Sequence, residues 1–179
     1  MDANDTVLMV IDVQGKLVTL MHEQERLFNN IERLIKTAHL FNIPIIWSEQ
    51  APDKIGPTVT SIAALLSAHS APIVKRTFSC YDCPPLRQKL DGLHRRHVLI
   101  AGIETHVCVY QTAQDLLRHG YEVDVIADAV SSRVLVNKEV ALARLLQQGV
   151  GITSLELAVC ELLKSADHPT FREVMGNIR

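Results

Sequence analysis

The stretch that decides the fold is "HVLIAGIETHVCVYQTAQDLLRHGYEVDVIAD", residues 97–128. It contains two apolar runs, 97–103 and 121–128, on either side of a helical pattern at 107–120. Apolar runs of this length without polar alternation are typical of strands buried on both faces of a parallel sheet. Gly120 ends the helical pattern, where a helix C-terminus favours glycine. The stretch therefore predicts a right-handed β-α-β unit.

The same alternation continues in both directions along the chain. Similar apolar runs occur at 6–13, 43–49, 71–76 and 149–156. Helical spacing of apolar residues is found at 25–42 and again at 136–149. We expect a six-stranded parallel sheet in the Rossmann-like order 3-2-1-4-5-6, within a three-layer α/β/α sandwich. Because no linker, repeat or low-complexity segment interrupts the sequence, residues 1–179 are expected to form one domain.

Composition restricts the classes of function. A formal net charge of -2 gives no reason to expect a nucleic acid or an anionic membrane as partner, and no apolar run reaches the ~20 residues of a membrane helix. The opening "MDANDTVLMV" lacks the basic leader of a signal peptide, so the four cysteines are expected to be free thiols in the cytoplasm. The expected partners are a small-molecule substrate and further copies of the chain.

Reactive side chains follow three of the expected strands. Ligands of an open parallel sheet bind beyond the carboxyl ends of its strands. Asp12 lies at the end of the first strand, Lys75 at the end of the third, and Cys108 just beyond the fourth. The predicted topology therefore places a carboxylate, an amine and a thiol at one edge of the sheet. Their spacing along the chain does not prove that they meet.

The position of Cys108 predicts nucleophilic chemistry. With Thr105 as N-cap, Cys108 falls in the first turn of a helix, where the helix dipole and Lys75 are expected to lower the thiol pKa. Asp12 would accept the thiol proton and pass it to a leaving group. Backbone N–H groups of Glu104 and Cys108 would bind the carbonyl oxygen as negative charge develops on it.

Five motifs make the sequence similar to the isochorismatase-like cysteine hydrolases, whose relatives include nicotinamidases. They are "VIDVQ" (10–14), "VKRTFS" (74–79), "AGIETHVCV" (101–109), "QTAQDLLRHGYEV" (111–123) and "ADAVSSR" (127–133). The resemblance spans nearly the whole chain. It implies that Asp12, Lys75 and Cys108 form a catalytic triad, that the Ile103–Glu104 peptide is cis, and that the protein forms a dimer or a larger assembly.

The chain also departs from these relatives. Nicotinamidases carry an Asp-x-His metal motif after the second strand, but this chain reads "WSEQAPDKIGPT" at 47–58. Glu49 and Gln50 stand in place of the metal ligands, so neither a metal nor another cofactor is expected. True isochorismatases generally lack the cysteine, so Cys108 argues against vinyl ether cleavage. We expect a metal-independent cysteine hydrolase that cleaves a small amide, imide or ester through a covalent acyl-enzyme.

Further residues near the expected strand ends are candidates for the substrate pocket. They are Gln14, Trp47, Glu49, Gln50, Phe78, Thr105 and His106. Trp47 is equally consistent with core packing, and the sequence does not decide whether His106 faces the pocket. His97, by contrast, is expected at the surface.

Two other hypotheses remain open. The fold can serve as a binding or scaffold module that keeps a silent triad; faster alkylation of Cys108 than of Cys160 would argue against this. "CYDC" at 80–83 can be a thiol–disulfide pair, although an incidental loop with two free thiols is favoured. The amphipathic C-terminal segment 155–179 is a candidate for packing on a partner or on its own sheet.

Overall fold

The centre of the protein is a parallel sheet of six strands. The computed structural model describes residues 1–67 and 70–178. The strands are β1 (Thr6–Ile11), β2 (Ile45–Gln50), β3 (Ile73–Lys75), β4 (His97–Ile103), β5 (Glu122–Ser131) and β6 (Gly151–Thr153). They lie in the order β3-β2-β1-β4-β5-β6, and each neighbouring pair is parallel. The fold class and strand order predicted from the sequence are confirmed.

Helices cover both faces of the sheet. In the described part of the chain they are α1 (Gln24–Leu40), α2 (Pro52–Ile55), α3 (Thr60–Leu66), α4 (Pro84–Asp91), α5 (Tyr110–Arg118), α6 (Leu135–Gln147), α7 (Leu155–Leu163) and α8 (Phe171–Ile178). Helices α1, α3, α7 and α8 enclose one apolar core, and α4, α5 and α6 enclose the other. Helix α7 packs on β5 and α1, and α8 packs on α1 and α7, so the C-terminal segment 155–179 packs on its own chain, with its last residue outside the described part. No described helix is both long and apolar enough to cross a membrane.

Alternation along the strands divides the side chains between the two cores. In β1, Leu8 and Val10 join the core under α1, while Val7, Met9 and Ile11 join the opposite one. Because both faces are covered, all five positions after Thr6 in this strand are apolar, which explains why the sequence shows a continuous run. Each such side chain contributes roughly 1.5–3 kcal/mol to folding through burial.

The last predicted strand is divided between two elements. The run 149–156 contains only a short strand, Gly151–Thr153, after which α7 begins at Leu155. Ser154 caps this helix, since its side chain accepts a hydrogen bond from the backbone N–H of Leu157 at 3.3 Å. A serine at this position favours the start of a helix, because its side chain binds a backbone N–H that has no acceptor within the helix. The strand therefore ends before Ser154.

Strands β1 and β4 approach each other very closely at Gly102. This residue has a φ of +119°, and a Cβ added there would overlap the carbonyl oxygen of Ile11. The pairing of β4 with β5 shifts register between Ile100 and Gly102. Glycine is therefore required where the ends of β1 and β4 meet. This contact brings Asp12, which follows β1, next to the turn that follows β4.

A buried polar cluster joins the amino ends of β1, β4 and β5. His97 Nε2 lies 2.7 Å from Asp124 Oδ2, and Nδ1 lies 3.2 Å from Thr6 Oγ1. The Thr6 hydroxyl donates its one proton to the carbonyl oxygen of Asp2 at 2.6 Å. Both ring nitrogens therefore lie within hydrogen-bond distance of a side-chain oxygen atom. We call Thr6, His97 and Asp124 the amino-end clasp; His97 is buried within it, so its expected surface position is wrong.

Candidate active site

Asp12 and Lys75 form a buried ion pair at the carboxyl end of the sheet. Lys75 Nζ lies 2.7 Å from Asp12 Oδ2, with the two side chains 0% and 3% exposed. Lys75 Nζ also donates to Gln50 Oε1 at 2.7 Å and to the carbonyl oxygens of Thr77 and Phe78 at 3.2 and 3.0 Å. A buried pair is tolerated only when its remaining hydrogen bonds are made in this way.

The surroundings keep Lys75 positively charged. Burial acts to lower the pKa of Lys75, but the electrostatic interactions with Cys80, Asp12 and Cys108 together raise it more, so the net pKa lies above its usual value. The lysine is therefore a fixed cation at neutral pH.

The backbone of Asp12 directs its carboxylate toward β2 and β3. Strict alternation after Ile11 would turn residue 12 toward the core under α1. Asp12 instead has a left-handed φ of 51°, which aspartate tolerates better than most residues. Its Oδ1 accepts a hydrogen bond from Ser48 Oγ at 2.7 Å. Both carboxylate oxygens are thus occupied, one by Lys75 and one by Ser48.

Cys108 lies in an unusual turn between β4 and α5. The Ile103–Glu104 peptide is cis, and a π-helical turn, Thr105–Val109, follows it. Glu104 is the N-cap residue of this turn, in place of the expected Thr105. Thr105 is fully buried, and its Oγ1 has no hydrogen-bond partner among the described residues.

The structure brings Cys108 within electrostatic range of Asp12 and Lys75. Burial is the main cause that raises the pKa of the Cys108 thiol; the charge of Asp12 and a side-chain hydrogen bond to it act in the same direction. Lys75 acts in the opposite direction, but less strongly. The expectation of a lowered thiol pKa is therefore wrong, since a side chain only 7% exposed loses more from desolvation than it gains from one cation. The resting group is a protonated thiol.

Residues of the "ADAVSSR" motif hold the cysteine turn in place. Glu104 Oε1 accepts hydrogen bonds from the backbone N–H and the Nε of Arg133, both at 3.1 Å. His106 Nδ1 lies 2.9 Å from Ser132 Oγ. Within the turn, the N–H groups of Val107 and Val109 both donate to the carbonyl oxygen of Glu104, at 3.0 and 3.3 Å.

Several predicted pocket residues hold the loop after β2. Gln14 is fully buried; its Oε1 accepts from the N–H of Gln50 at 2.6 Å, and its Nε2 donates to the carbonyl of Gly56 at 2.6 Å. Glu49 Oε1 accepts from the N–H of Thr58 at 2.6 Å. These contacts place Gln14 and Glu49 as supports of the loop, whereas Gln50 reaches the site by accepting from Lys75.

The two aromatic candidates differ in position. Trp47 belongs to the core under α1, on the other face from Cys108, and its Nε1 donates to Ser70 Oγ at 2.9 Å. Phe78 is 52% exposed, and it is its carbonyl oxygen that contacts Lys75.

Sequence reasoning missed Ser48, which contacts Asp12 directly. Alternation in β2 contains the signal: Ile45 and Trp47 face the core under α1, while Ile46 faces the core that contains Cys108. Ser48 follows Ile46 by two positions and shares its face. A polar residue on that face next to a strand end is a better site candidate than its neighbour Trp47.

The described residues offer no group of three or more His, Cys, Asp or Glu side chains placed to hold a metal ion. All four cysteines are free thiols, and of these Cys160 alone is exposed.

The chain belongs to the isochorismatase family. The Isochorismatase domain matches residues 6–156, which include the strand ends that carry Asp12, Lys75 and Cys108. The fold and this match together place the protein among the isochorismatase-like hydrolases.

Individual relatives are similar to this chain over most of their length. Isochorismatase domain-containing protein 2A of Mus musculus is 36% identical, over 97% of this chain and 82% of the mouse protein. The structure of the MAR1 ribonuclease of Caenorhabditis elegans has a TM-score of 0.93 and 34% identity, over 99% of this chain and 91% of that one. YcaC of Escherichia coli, described as an octameric hydrolase of unknown specificity, has a TM-score of 0.87 and 25% identity, over 98% and 94% of the two chains.

Proposed function

We propose that this protein is a metal-independent cysteine hydrolase that cleaves a small amide, imide or ester. The observation that carries the proposal is the buried Asp12–Lys75 ion pair beside Cys108 at the carboxyl end of the sheet. Burying two charged side chains away from water is unfavourable, and a cysteine with a purely structural role does not need a buried ion pair beside it. A thiol that must lose and regain a proton does need a buried base.

The first half of the reaction forms an acyl-enzyme. Cys108 Sγ attacks the carbonyl carbon while Asp12 takes the thiol proton, and the carbonyl π electrons move onto the oxygen. Because the pKa of the Cys108 thiol is raised, proton transfer accompanies the attack rather than preceding it. The N–H groups of Glu104 and Cys108 stabilise the oxyanion. The C–N or C–O bond then breaks, and the leaving group takes the proton from Asp12.

The second half releases the product. Asp12 removes a proton from water as the water oxygen bonds to the thioester carbon, the C–S bond breaks, and the proton returns to the sulfur. Lys75 does not transfer protons in this scheme. Its fixed charge holds the Asp12 carboxylate and offsets the negative charge that passes through the site.

The test is turnover of a panel of small amides, imides and esters. Wild type is compared with Cys108→Ala and Asp12→Asn, and with Cys160→Ala as the matched control for loss of a thiol. Both site variants are expected to lose turnover, and the control to keep it. Turnover that neither site substitution changes would refute the mechanism. Acid-quenched intact mass spectrometry should show the acyl group on wild type only.

The panel also separates the alternatives. A silent binding or scaffold module would hydrolyse none of the compounds and form no adduct, while still binding a ligand after Cys108→Ala. The C. elegans protein is described as a ribonuclease, so an RNA oligonucleotide is included. The net charge of -2 favours weak binding of RNA at physiological salt.

The same proposal covers assembly and location. We expect residues 1–179 to act as one hydrolase domain, in a homo-oligomer of two or more copies, as the octameric E. coli relative supports. The free thiols favour the cytoplasm. Light scattering after size-exclusion chromatography measures the assembly, and fractionation of cells measures the location.

A further inference from the structure

Two buried residues beside Asp12 take no part in the proposed reaction. Ser48 is 1% exposed, and its hydroxyl donates its one proton to Asp12 Oδ1 at 2.7 Å. Its oxygen can still accept, and the Cys80 thiol lies 3.6 Å away as the donor. Hydrogen bonds therefore run from Cys80 through Ser48 to the carboxylate.

Cys80 is in turn attached to the helix that follows the nucleophile. Its backbone N–H donates to Thr112 Oγ1 at 2.9 Å, and Thr112 lies on α5, about one turn beyond Cys108. We name Thr112, Cys80, Ser48 and Asp12 the hydrogen-bond relay. It connects Asp12, the proposed base, to α5, the helix that directly follows the turn of Cys108, by a route separate from the contact between Asp12 and Cys108.

Cys80 has the protonation state that a donor requires. Complete burial is the main cause that raises its pKa to about 11, so the thiol keeps its proton at neutral pH. Its neighbour Cys83 is directed elsewhere, with Sγ 3.8 Å from the carbonyl oxygen of Val74. Cys80 is therefore placed as a hydrogen-bond donor rather than as a second nucleophile.

We propose that Ser48, held by Cys80, is a positioning residue that fixes the plane of the Asp12 carboxylate toward Cys108. The torsion that rotates an aspartate carboxylate has no narrow minimum of its own. Lys75 holds one oxygen, and Ser48 holds the other, so two donors define the plane. The inference rests on the proposed function for its catalytic meaning, but the geometry can be tested without a substrate.

The substrate-free test is an NMR titration of the Asp12 ¹³Cγ signal, assigned by its loss in Asp12→Asn. Ser48→Ala removes a donor from the charged carboxylate, so the titration midpoint is expected to rise by roughly one pH unit. Ser48→Thr keeps a hydroxyl and should restore the wild-type midpoint. An unchanged midpoint in Ser48→Ala would overturn the proposal.

Cysteine variants test the remote end of the relay. Cys80→Ser retains a donor and is expected to titrate like wild type, while Cys80→Ala should move the midpoint part of the way toward that of Ser48→Ala. Cys83→Ala is the matched control and should leave it unchanged. A midpoint shift in Cys83→Ala as large as that in Cys80→Ala would mean that loss of either thiol disturbs the packing around Asp12. That result would overturn the role of Cys80.

Kinetics supplies the catalytic readout. Ser48→Ala is expected to lower kcat about tenfold with little change in KM, and to move the acidic limb of the pH–rate profile upward. Ser48→Thr should recover both. If wild type hydrolyses no compound of the panel, the proposed function fails while the NMR titration still decides the relay.

Discussion

The two ends of the sheet each hold a pair of polar side chains at the same separation: the buried Asp12 and Lys75 at the carboxyl end, and His97 with the partly exposed Asp124 at the amino end, both at 2.7 Å. At the amino end, the adjacent hydroxyl of Thr6 is bound to a backbone oxygen, and Asp124 is 28% exposed. At the carboxyl end, the adjacent group is a protonated thiol. The distance within such a pair of side chains therefore does not distinguish the two ends. The chemical group next to each pair does.

The largest expected difference between the two ends is in activity. Cys108→Ala should lower kcat/KM by at least on the order of a thousandfold, because it removes the proposed nucleophile. Asp124→Asn, in the amino-end clasp, should leave kcat/KM within about twofold of wild type, since distant sites act independently. Steady-state kinetics on any compound that wild type hydrolyses measures both. A comparable loss in Asp124→Asn would show that the two ends are coupled.

The second difference is in stability. Lys75→Met leaves the Asp12 carboxylate buried without its cation and should lower the free energy of unfolding by about 3–5 kcal/mol. The corresponding change at the clasp, His97→Asn, leaves a partly exposed Asp124, so about 1–2 kcal/mol is expected. Urea denaturation at neutral pH measures both. Adding Asp12→Asn to Lys75→Met should recover most of the loss; equal losses at the two ends would contradict the comparison.

A smaller effect is expected from a glycine at the amino end. A Cβ at Gly151 would overlap Asp124 Oδ1, so Gly151→Ala should displace Asp124 from His97 and lower stability by about 1–3 kcal/mol. The loss should shrink in an Asp124→Ala background, where the overlap is absent. If the double-mutant cycle shows full additivity, the overlap with Asp124 is not the cause.

The smallest effect concerns pH. The pKa of Cys80 is about 11 in the folded protein against 9.0 for a solvent-exposed cysteine thiol, so its contribution to stability is intact below pH 9 and is lost as pH rises toward 11. Cys80 ionises at a lower pH in the unfolded chain than in the folded protein. The free energy of unfolding is therefore expected to fall by about 1 kcal/mol between roughly pH 8 and pH 10. Urea denaturation at these two pH values measures the fall in the free energy of unfolding. The fall should be smaller in Cys80→Ala than in wild type by this amount. An identical loss in both proteins would contradict the raised pKa.

The sheet could be predicted from sequence because its signals are local. Each strand overlaps an apolar run of the sequence, and the rule that ligands bind at the carboxyl strand ends indicates Asp12, Lys75 and Cys108 as site candidates. The Ile103–Glu104 cis peptide was also expected, from the family resemblance, and it is present.

What the sequence did not reveal depends on contacts between distant residues. Ser48 and Asp12 are 36 positions apart, and Thr6 and His97 are 91 apart. No local pattern shows that these pairs meet. The pKa of Cys108 was expected in the wrong direction because depth of burial decides it, and that depth is set by the packing of several elements at once. Gln14 and Glu49 do lie near the expected strand ends, but their polar atoms form hydrogen bonds with the backbone after β2 and so hold that loop in place.

The close approach of β1 and β4 at Gly102 has a consequence for protein engineering. The separation between the strand that precedes Asp12 and the strand that precedes Cys108 is set by backbone atoms in contact, not by exchangeable side chains. A library meant to widen substrate range can therefore vary exposed positions such as Phe78 while keeping Gly102 and Ile11 constant. Such variants would inherit the same spacing of Asp12 and Cys108, whatever shape their pockets acquire.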